Sequence, residues 1–332
     1  MLLEFDSDQR LWRETVRDFV GKRCPAALIR EIADKDGDPI PLWRSYIEQG
    51  WTELTGSAAA VELAIVLEEL GRATDPTPYL ATMSQFAPLA PDYARPDVSG
   101  TGVFEGVNAA LDAEGWVLSG TAGYVLDGDR AEQFAVVTGA GVFVVPASDV
   151  RSRRRVIFDP VLHVAEVNFD GVRVGHDRCT GVDAARAREF ALTGLAVTMV
   201  GACQRVLDMV LEHVRNRHQF GKPIGSMQAV KHKAADMHVA IERARALAYF
   251  AALTIAEDDP RRTLAASMAK AAAGECQDLV CRNGIQLFGA MGFTWENDLQ
   301  FALKRAQAAE LLLGGAAEHR ALIVEECRAT QL

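Results

Sequence analysis

Hydrophobic positions along the chain change period twice. From residue 7 to 34 the apolar residues recur at helical spacing, with Leu11, Thr15 and Phe19 on one row and Val16 and Val20 beside it; a helix capped by Ser7 is expected. Residues 41–48 and the Ala/Glu/Leu-rich residues 58–72 continue the helical pattern. Asp75-Pro76-Thr77-Pro78 interrupts it, and one more helix is expected before the Pro/Asp/Gly-rich run from Pro88 to Gly102. Beyond that run the texture becomes VFEGVNAALDAEGWVLSGTAGYVLDGDRAEQFAVVTGAGVFVVPASDV, continued by RVIFDPVLHVAEVNFDGVRV. Short Val, Phe, Tyr and Trp runs parted by Gly, Asp and Asn at intervals of about eight to twelve residues predict an antiparallel β domain ending near Val174. From Ala184 the pattern is helical again, in four long segments near 184–216, 226–256, 262–290 and 297–328, and their many alanines permit the close contacts of a four-helix bundle. The expected fold is mainly α with a central β domain: an N-terminal helical domain (1–95), a β domain (96–177) and a C-terminal four-helix bundle (178–332).

A length of 332 residues leaves room for two or three packed units, and 49% hydrophobic with 24% charged residues is a globular rather than a disordered balance. The net charge of -10 provides no field for nucleic acid or an anionic membrane, so any bound anion must be held by local groups. Six scattered cysteines form no CxxC pair and no Cys/His cluster at zinc spacing; free thiols, no metal site and a reducing cytoplasm are the expectation. The N-terminus shows no basic segment followed by an apolar run, and no stretch approaches the ~18 apolar residues of a membrane span.

Candidate chemistry gathers in RNRHQFGKPIGSMQ, residues 215–228, and QLFGAMGF, residues 286–293. Arg217 is a fixed cation whose forked donors suit a diphosphate, and Gly221 with Pro223 makes the turn that would present it. Gln228 and Gln286 can supply directional hydrogen bonds to an adenine, ribose or phosphate edge, while Gly289 and Gly292 leave room for a cofactor near the backbone. Each has a plainer reading alone: Arg217 solvated or ion-paired, the two glycines ending a helix, Phe220 packing. Their joint spacing is what favours a shared ligand site over those separate readings.

The order of the parts and these residues resemble the acyl-CoA dehydrogenase family of flavoproteins. GACQRVLDMVLEHVRNRHQFGKPIGSMQAVKHKAADM (201–237) resembles the family's bundle helix, its Arg-x-x-Phe-Gly turn and the Gln-anchored helix that follows. QLFGAMGFTWEND (286–298) resembles its Gln-x-x-Gly-Gly-x-Gly-Phe segment, with fainter echoes in EELGRA (68–73) and EGWVLSG (114–120). The resemblance implies the family fold, with the β domain as a small β-barrel. It also implies FAD held by Arg217, Phe220, Gln228, Gln286, Gly289 and Gly292, an acyl-CoA substrate, and an electron-transfer flavoprotein as acceptor.

Other family features are missing. The catalytic Glu of the Tyr-Glu-Gly-Thr type motif aligns with Gly314, and the alternative base position on the earlier bundle helix aligns with Ala191. Glu189 lies about 200° round a helix from that position, and Glu310 and Glu318 are expected to be surface or salt-bridge residues. On the flavin-ring side Ala122, Tyr124 and Leu126 stand where the family has Lys, Trp and a hydroxyl residue, and Ala316 replaces a Thr. The family's Thr-Glu-Pro-x-x-Gly-Ser-Asp and Pro-Glu-x-x-Gly-Gly loops are absent too. Family homodimers share each flavin, one subunit holding ring and substrate and the other lending the Arg-x-x-Phe turn and Gln-Gly-Gly segment. The resemblance therefore implies a base-lacking subunit of a heteromeric α2β2 acyl-CoA dehydrogenase of the steroid side-chain degrading type, sharing FAD with a related chain that carries the Glu. Two alternatives stand beside it: a self-sufficient flavoenzyme with a displaced base such as Glu189 or Glu310, and a cofactor-free structural paralogue. Lys222 and the run Arg151 to Arg155 are candidate contacts for CoA phosphates or a solvated basic face.

Overall fold

A computed structural model describes residues 4–35 and 37–329. Helix α1 (Ser7–Arg23) is capped by Asp6 rather than Ser7: the Asp6 carboxylate accepts the amides of Asp8 at 2.9 Å and Gln9 at 2.8 Å, and the Gln9 side chain accepts the Asp6 amide at 3.4 Å. The single helix expected to residue 34 is two. Pro25 has no amide hydrogen and cannot continue the turn, so α1 stops and α2 (Ala26–Lys35) starts after it. The buried face of α1 is Val16 and Val20, while Leu11 on the neighbouring row stays exposed. Then come α3 (Ile40–Glu48) and α4 (Ala60–Ala73), close to their sequence-derived positions, followed by α5 (Tyr79–Ala81), a π-helical turn (Thr82–Phe86) and α6 (Ala87–Leu89).

The β strands are β1 (Gly100–Val103), β2 (Val107–Asp112), β3 (Gly115–Leu126), β4 (Gln133–Thr138), β5 (Gly141–Pro146), β6 (Arg151–Arg154), β7 (Val164–Val174) and β8 (Cys179–Thr180). They form two four-stranded sheets, ordered β1-β4-β5-β8 and β2-β3-β7-β6. Inward side chains of both, among them Leu118, Phe134, Phe143, Val167 and Phe169, make one core. Along β7 the alternation is plain, with Val167 and Phe169 inward and Asp170 and Arg173 in solvent. One pairing departs from the antiparallel expectation: β1 and β4 run parallel, Gly100 opposite Gln133 through Val103 opposite Val136.

After these strands follow α7 (Ala184–Asn216), the short strands β9 (His218–Gln219) and β10 (Lys222–Pro223), α8 (Gln228–Ala256), α9 (Arg262–Phe288), α10 (Leu299–Leu311) and α11 (Ala316–Ala329). The fourth long helix is thus divided in two, because Leu313 at φ +57° and Gly314 at φ +97° leave the helical region. By length and composition α7 is apolar enough to cross a membrane, contrary to the expectation that no stretch would be; 83% of that window is buried inside the protein, as in a core helix.

By compactness the chain forms two units, Met1–Gly37 with Ala64–Asp75 and Leu192–Leu332, and Asp38–Leu63 with Pro76–Ala191. In the first, α7, α8, α9 and α10 share a core through Val206, Val210, Ile241, Val280, Leu299 and Ala306. Helix α4 lies against α7 backbone to backbone: a Cβ at Gly201 would overlap the Glu68 carbonyl, and one at Gly71 the Thr198 carbonyl. The buried carboxylates that α4 brings are paired, Glu68 with Arg245 at 2.9 Å and the Tyr249 hydroxyl at 2.8 Å, and Glu69 with Arg17 at 2.6 Å. Burial, then the Glu68 charge, pushes the Tyr249 hydroxyl well above its ordinary range. All six cysteines are free thiols. Cys203 is pushed up by a hydrogen bond with Cys276 and by burial, and burial takes Cys281 to about 12, so both are inert at neutral pH.

Candidate functional site

The stretch from Asn216 to Gln228 folds as a tight hairpin between two long helices. The Arg217 amide donates to the His213 carbonyl at 2.8 Å, and the Ile224 amide donates to the Arg217 carbonyl at 2.8 Å, which closes the loop. Between β9 and β10 only Phe220 and Gly221 remain, at φ +52° and +78°; two successive left-handed residues are the signature of a type I′ turn. Glycine adopts that conformation freely, whereas Phe220 holds it under strain, with its ring 88% exposed at the tip.

Beside the hairpin lies a cleft of about 270 Å³ bordered by His213, Arg217, Gln219, Gln286, Phe288 and Gly289. Arg217 is exposed and has no carboxylate partner among the described residues. One turn earlier on α7, the His213 ring stacks on Phe288, centroids 4.4 Å apart and planes 14° from parallel. Partial burial, then the Arg217 charge, lowers the His213 pKa, so its ring is neutral at pH 7. Gln286 projects from the last turn of α9, and Gly289 ends that helix at φ +63°; open space surrounds its would-be Cβ, so glycine serves the backbone angle there. The cleft thus offers a free guanidinium, two amide side chains and a flat aromatic wall. That donor set fits an anionic group attached to a planar heterocycle, as in the diphosphate and adenosine portions of a dinucleotide.

Of the six expected cofactor residues, three border the cleft: Arg217, Gln286 and Gly289. Phe220 projects from the hairpin tip. Gln228 opens α8, exposed, its side chain 3.1 Å from His232 Nε2. Gly292 is buried, and a Cβ there would stand 3.1 Å from the Phe288 Cβ, so its small size lets the turn after α9 fold back. His213, Gln219 and Phe288 were not foreseen; the i, i+4 spacing of His213 and Arg217 on α7 was the available signal.

The turn at Leu312–Gly315 is built differently. Lys270, wholly buried on α9, donates to the carbonyls of Glu310 at 2.8 Å and Gly314 at 2.6 Å, with its ammonium 3.5 Å from the Glu310 carboxylate. Glu310 Oε1 accepts the Ala316 amide at 2.7 Å, and His319 Nε2 lies 3.0 Å from the Leu313 carbonyl. Gly314 needs its glycine twice over: φ is +97°, and a Cβ would stand 2.9 Å from the Glu318 carboxyl carbon. Ala191 is buried on α7, and Glu189, two residues before it, is buried as well.

In the β domain Ala122 and Leu126 are buried and Tyr124 is 75% exposed. Three of the arginines in the 151–155 run are paired, Arg151 with Asp170 and both Arg153 and Arg155 with Glu166, while Arg154 donates to the Pro160 carbonyl. This favours the solvated-face reading of that run over a phosphate contact. No group of His, Cys, Asp and Glu among the described residues is arranged to hold a metal ion.

Comparison with known proteins adds the following. The family described as Acyl-CoA dehydrogenase, C-terminal domain, matches residues 182–327. Acyl-CoA dehydrogenase IpdE2 of Mycobacterium tuberculosis is 33% identical over 317 residues, covering 92% of this chain and 93% of the relative. Among solved structures, the ChsE4-ChsE5 complex from Mycobacterium tuberculosis superposes with a TM-score of 0.89 at 24% identity, covering 99% of each chain. A Tcur3481-Tcur3483 steroid ACAD G363A variant superposes at 0.86 with 21% identity, covering 98% of each. At these identities the two superpositions establish a common fold.

Proposed function

Because this chain belongs to the acyl-CoA dehydrogenase family, we propose that it is the base-lacking subunit of a heteromeric, FAD-dependent acyl-CoA dehydrogenase. It lends the adenosine and diphosphate half of the FAD site to a related chain that carries the catalytic Glu. The observation that carries this reading is the contrast between an open, unpaired Arg217 cleft and a closed turn at Gly314. FAD, when bound, supplies the oxidant that accepts hydride from the β-carbon of an acyl-CoA thioester. Arg217 would bind the diphosphate through its forked donors, Gln286 and Gln228 would offer it further hydrogen bonds, and Phe220 would pack near it from the hairpin tip. At Gly314 no side chain exists to take the α-proton, so that step falls to the partner's carboxylate. Glu310 does not substitute, since its carboxylate is committed to the Ala316 amide and lies against Lys270.

Three further points belong to the same proposal. The substrate is a steroid side-chain CoA thioester, a reading supported by the steroid ACAD variant among the chains of like fold. Electrons leave to an electron-transfer flavoprotein in the cytoplasm. The segments 1–95, 96–177 and 178–332 correspond to the family's helical, β and bundle domains. The test is flavin content by absorbance and mass, for the chain alone and co-expressed with a related chain. Little FAD alone, but about one per heterodimer with activity on co-expression, supports the proposal. A yellow homo-oligomer that oxidises acyl-CoA unaided overturns it.

A further inference from the structure

A second cavity, of about 320 Å³, opens in the same compact unit between α1, α2, the end of α4, α7 and α10. Its volume is at the lower end of small-molecule sites, about 300–1,000 Å³. One wall is apolar, made by Val20, Ile29 and Phe301, each nearly inaccessible to solvent. The lining also includes Arg17, Arg72 and Arg205. Two of these are neutralised, Arg17 by Glu69 at 2.6 Å and Arg72 by Asp208 at 2.6 Å. The other carboxylate of the lining, Asp298, is bound to Arg30. Arg205 is half-buried on α7 and has no carboxylate partner among the described residues. Once the internal pairs are set aside, one uncompensated guanidinium and a set of apolar side chains line the same space of ligand size.

We infer that this cavity binds a small amphiphilic monoanion, a carboxylate on a short aliphatic body, with Arg205 taking the carboxylate and Val20, Ile29 and Phe301 the aliphatic part. A planar carboxylate matches the guanidinium fork, and the aliphatic tail lies against side chains that make no competing polar contact. A dianion would leave one charge unmatched in the half-buried space, and an uncharged ligand would leave Arg205 unanswered. The site shares no residue with the Arg217 cleft.

The probe is hexanoate, titrated calorimetrically into the full chain in the assembly in which it purifies, with 1-hexanol and inorganic phosphate as parallel arms. Saturable hexanoate binding, with hexanol and phosphate at least tenfold weaker, is the expected result. Arg205→Gln should weaken hexanoate tenfold or more, and Arg205→Lys should recover part of that loss. Gly21→Leu is an independent variant: Gly21 borders the cavity, lies in α1, and has nothing within 4 Å of its would-be Cβ, so a side chain can start there without displacing a neighbour and crowd the cavity's edge. It should abolish binding while leaving thermal stability equal or higher. Absence of saturable hexanoate binding overturns the inference, as does binding unchanged in both variants. Equal binding of hexanol would show that charge is not read, and phosphate binding alone would show that the apolar wall is not; either outcome also overturns it.

Discussion

The Arg217 hairpin and the turn at Leu312–Gly315 are both short connections between long helices, yet they handle their polar groups in opposite ways. In the turn most polar groups are spent internally, Lys270 on two carbonyls, Glu310 Oε1 on the Ala316 amide and His319 facing the Leu313 carbonyl, while Glu310 Oε2 is buried 3.5 Å from the Lys270 ammonium. In the hairpin region the backbone is closed by hydrogen bonds, while Arg217 and the Phe220 ring are presented outward, Arg217 without a carboxylate partner among the described residues. A loop that satisfies itself is a structural joint. One that holds its backbone rigid and leaves its side chains unanswered is organised for something outside itself.

The largest effect should come from the joint. Lys270→Met leaves two carbonyls and a shielded carboxylate without their cation, and a loss of about 3–5 kcal/mol is expected, read as a lower urea midpoint at unchanged slope. An unmoved midpoint would mean the turn is not locked by that ammonium, and the contrast would lapse. Next is the open side: Arg217→Ala should leave the urea midpoint within about 0.5 kcal/mol, as for an exposed residue. FAD retained by the assembled complex on gel filtration should nevertheless fall about ten- to a hundredfold, the value of charge-assisted hydrogen bonds. If stability fell and flavin did not, Arg217 would be structural and the proposed half-site wrong.

Gly314→Ala sharpens the comparison at smaller scale. A Cβ in the left-handed region beside Glu318 should cost roughly 1–2 kcal/mol, with flavin binding untouched; pairing it with Glu318→Ala should recover part of the loss. Gly314→Glu alone should create no activity in the isolated chain, and turnover from that variant would refute the view of this turn as closed. The smallest effect is on pH. His213 has a folded pKa below its unfolded value, from burial first and Arg217 second, so the unfolded chain binds the proton more readily. This group's contribution is present above the unfolded pKa of about 6.5 and is lost as pH falls through the folded value. Ring-proton NMR of His213 should show its pKa rising in Arg217→Ala; no change would place the guanidinium farther away than the cleft implies.

The helices and the extent of the β region were legible because period and punctuation are local. Pro25 and the Gly314-Gly315 pair were equally local signals for the two helix breaks, outweighed by the apolar rows that run through them. The parallel β1–β4 pairing was not legible, since the two strands are thirty residues apart and neither sequence encodes the direction of its neighbour. At the cleft, Arg217, Gln286 and Gly289 were expected through the family resemblance that their segments carry, whereas Phe288 gains meaning only when α9 brings it against His213. Lys270 was invisible in an alanine-rich helix because its role depends on carbonyls forty residues further on.

Helix α7 also has a place in time. Its partners α8, α9 and α10 are encoded after it, so on the ribosome its apolar surface is made about 95 residues before the end of α10. At roughly 5–20 residues per second that interval is on the order of ten seconds. During it, α4 is the earlier-made surface in the same unit against which the Gly201 face can rest. A nascent chain displaying so long an apolar helix is a natural client for chaperones, and the small glycine seam with α4 is an early shelter the polypeptide can give it.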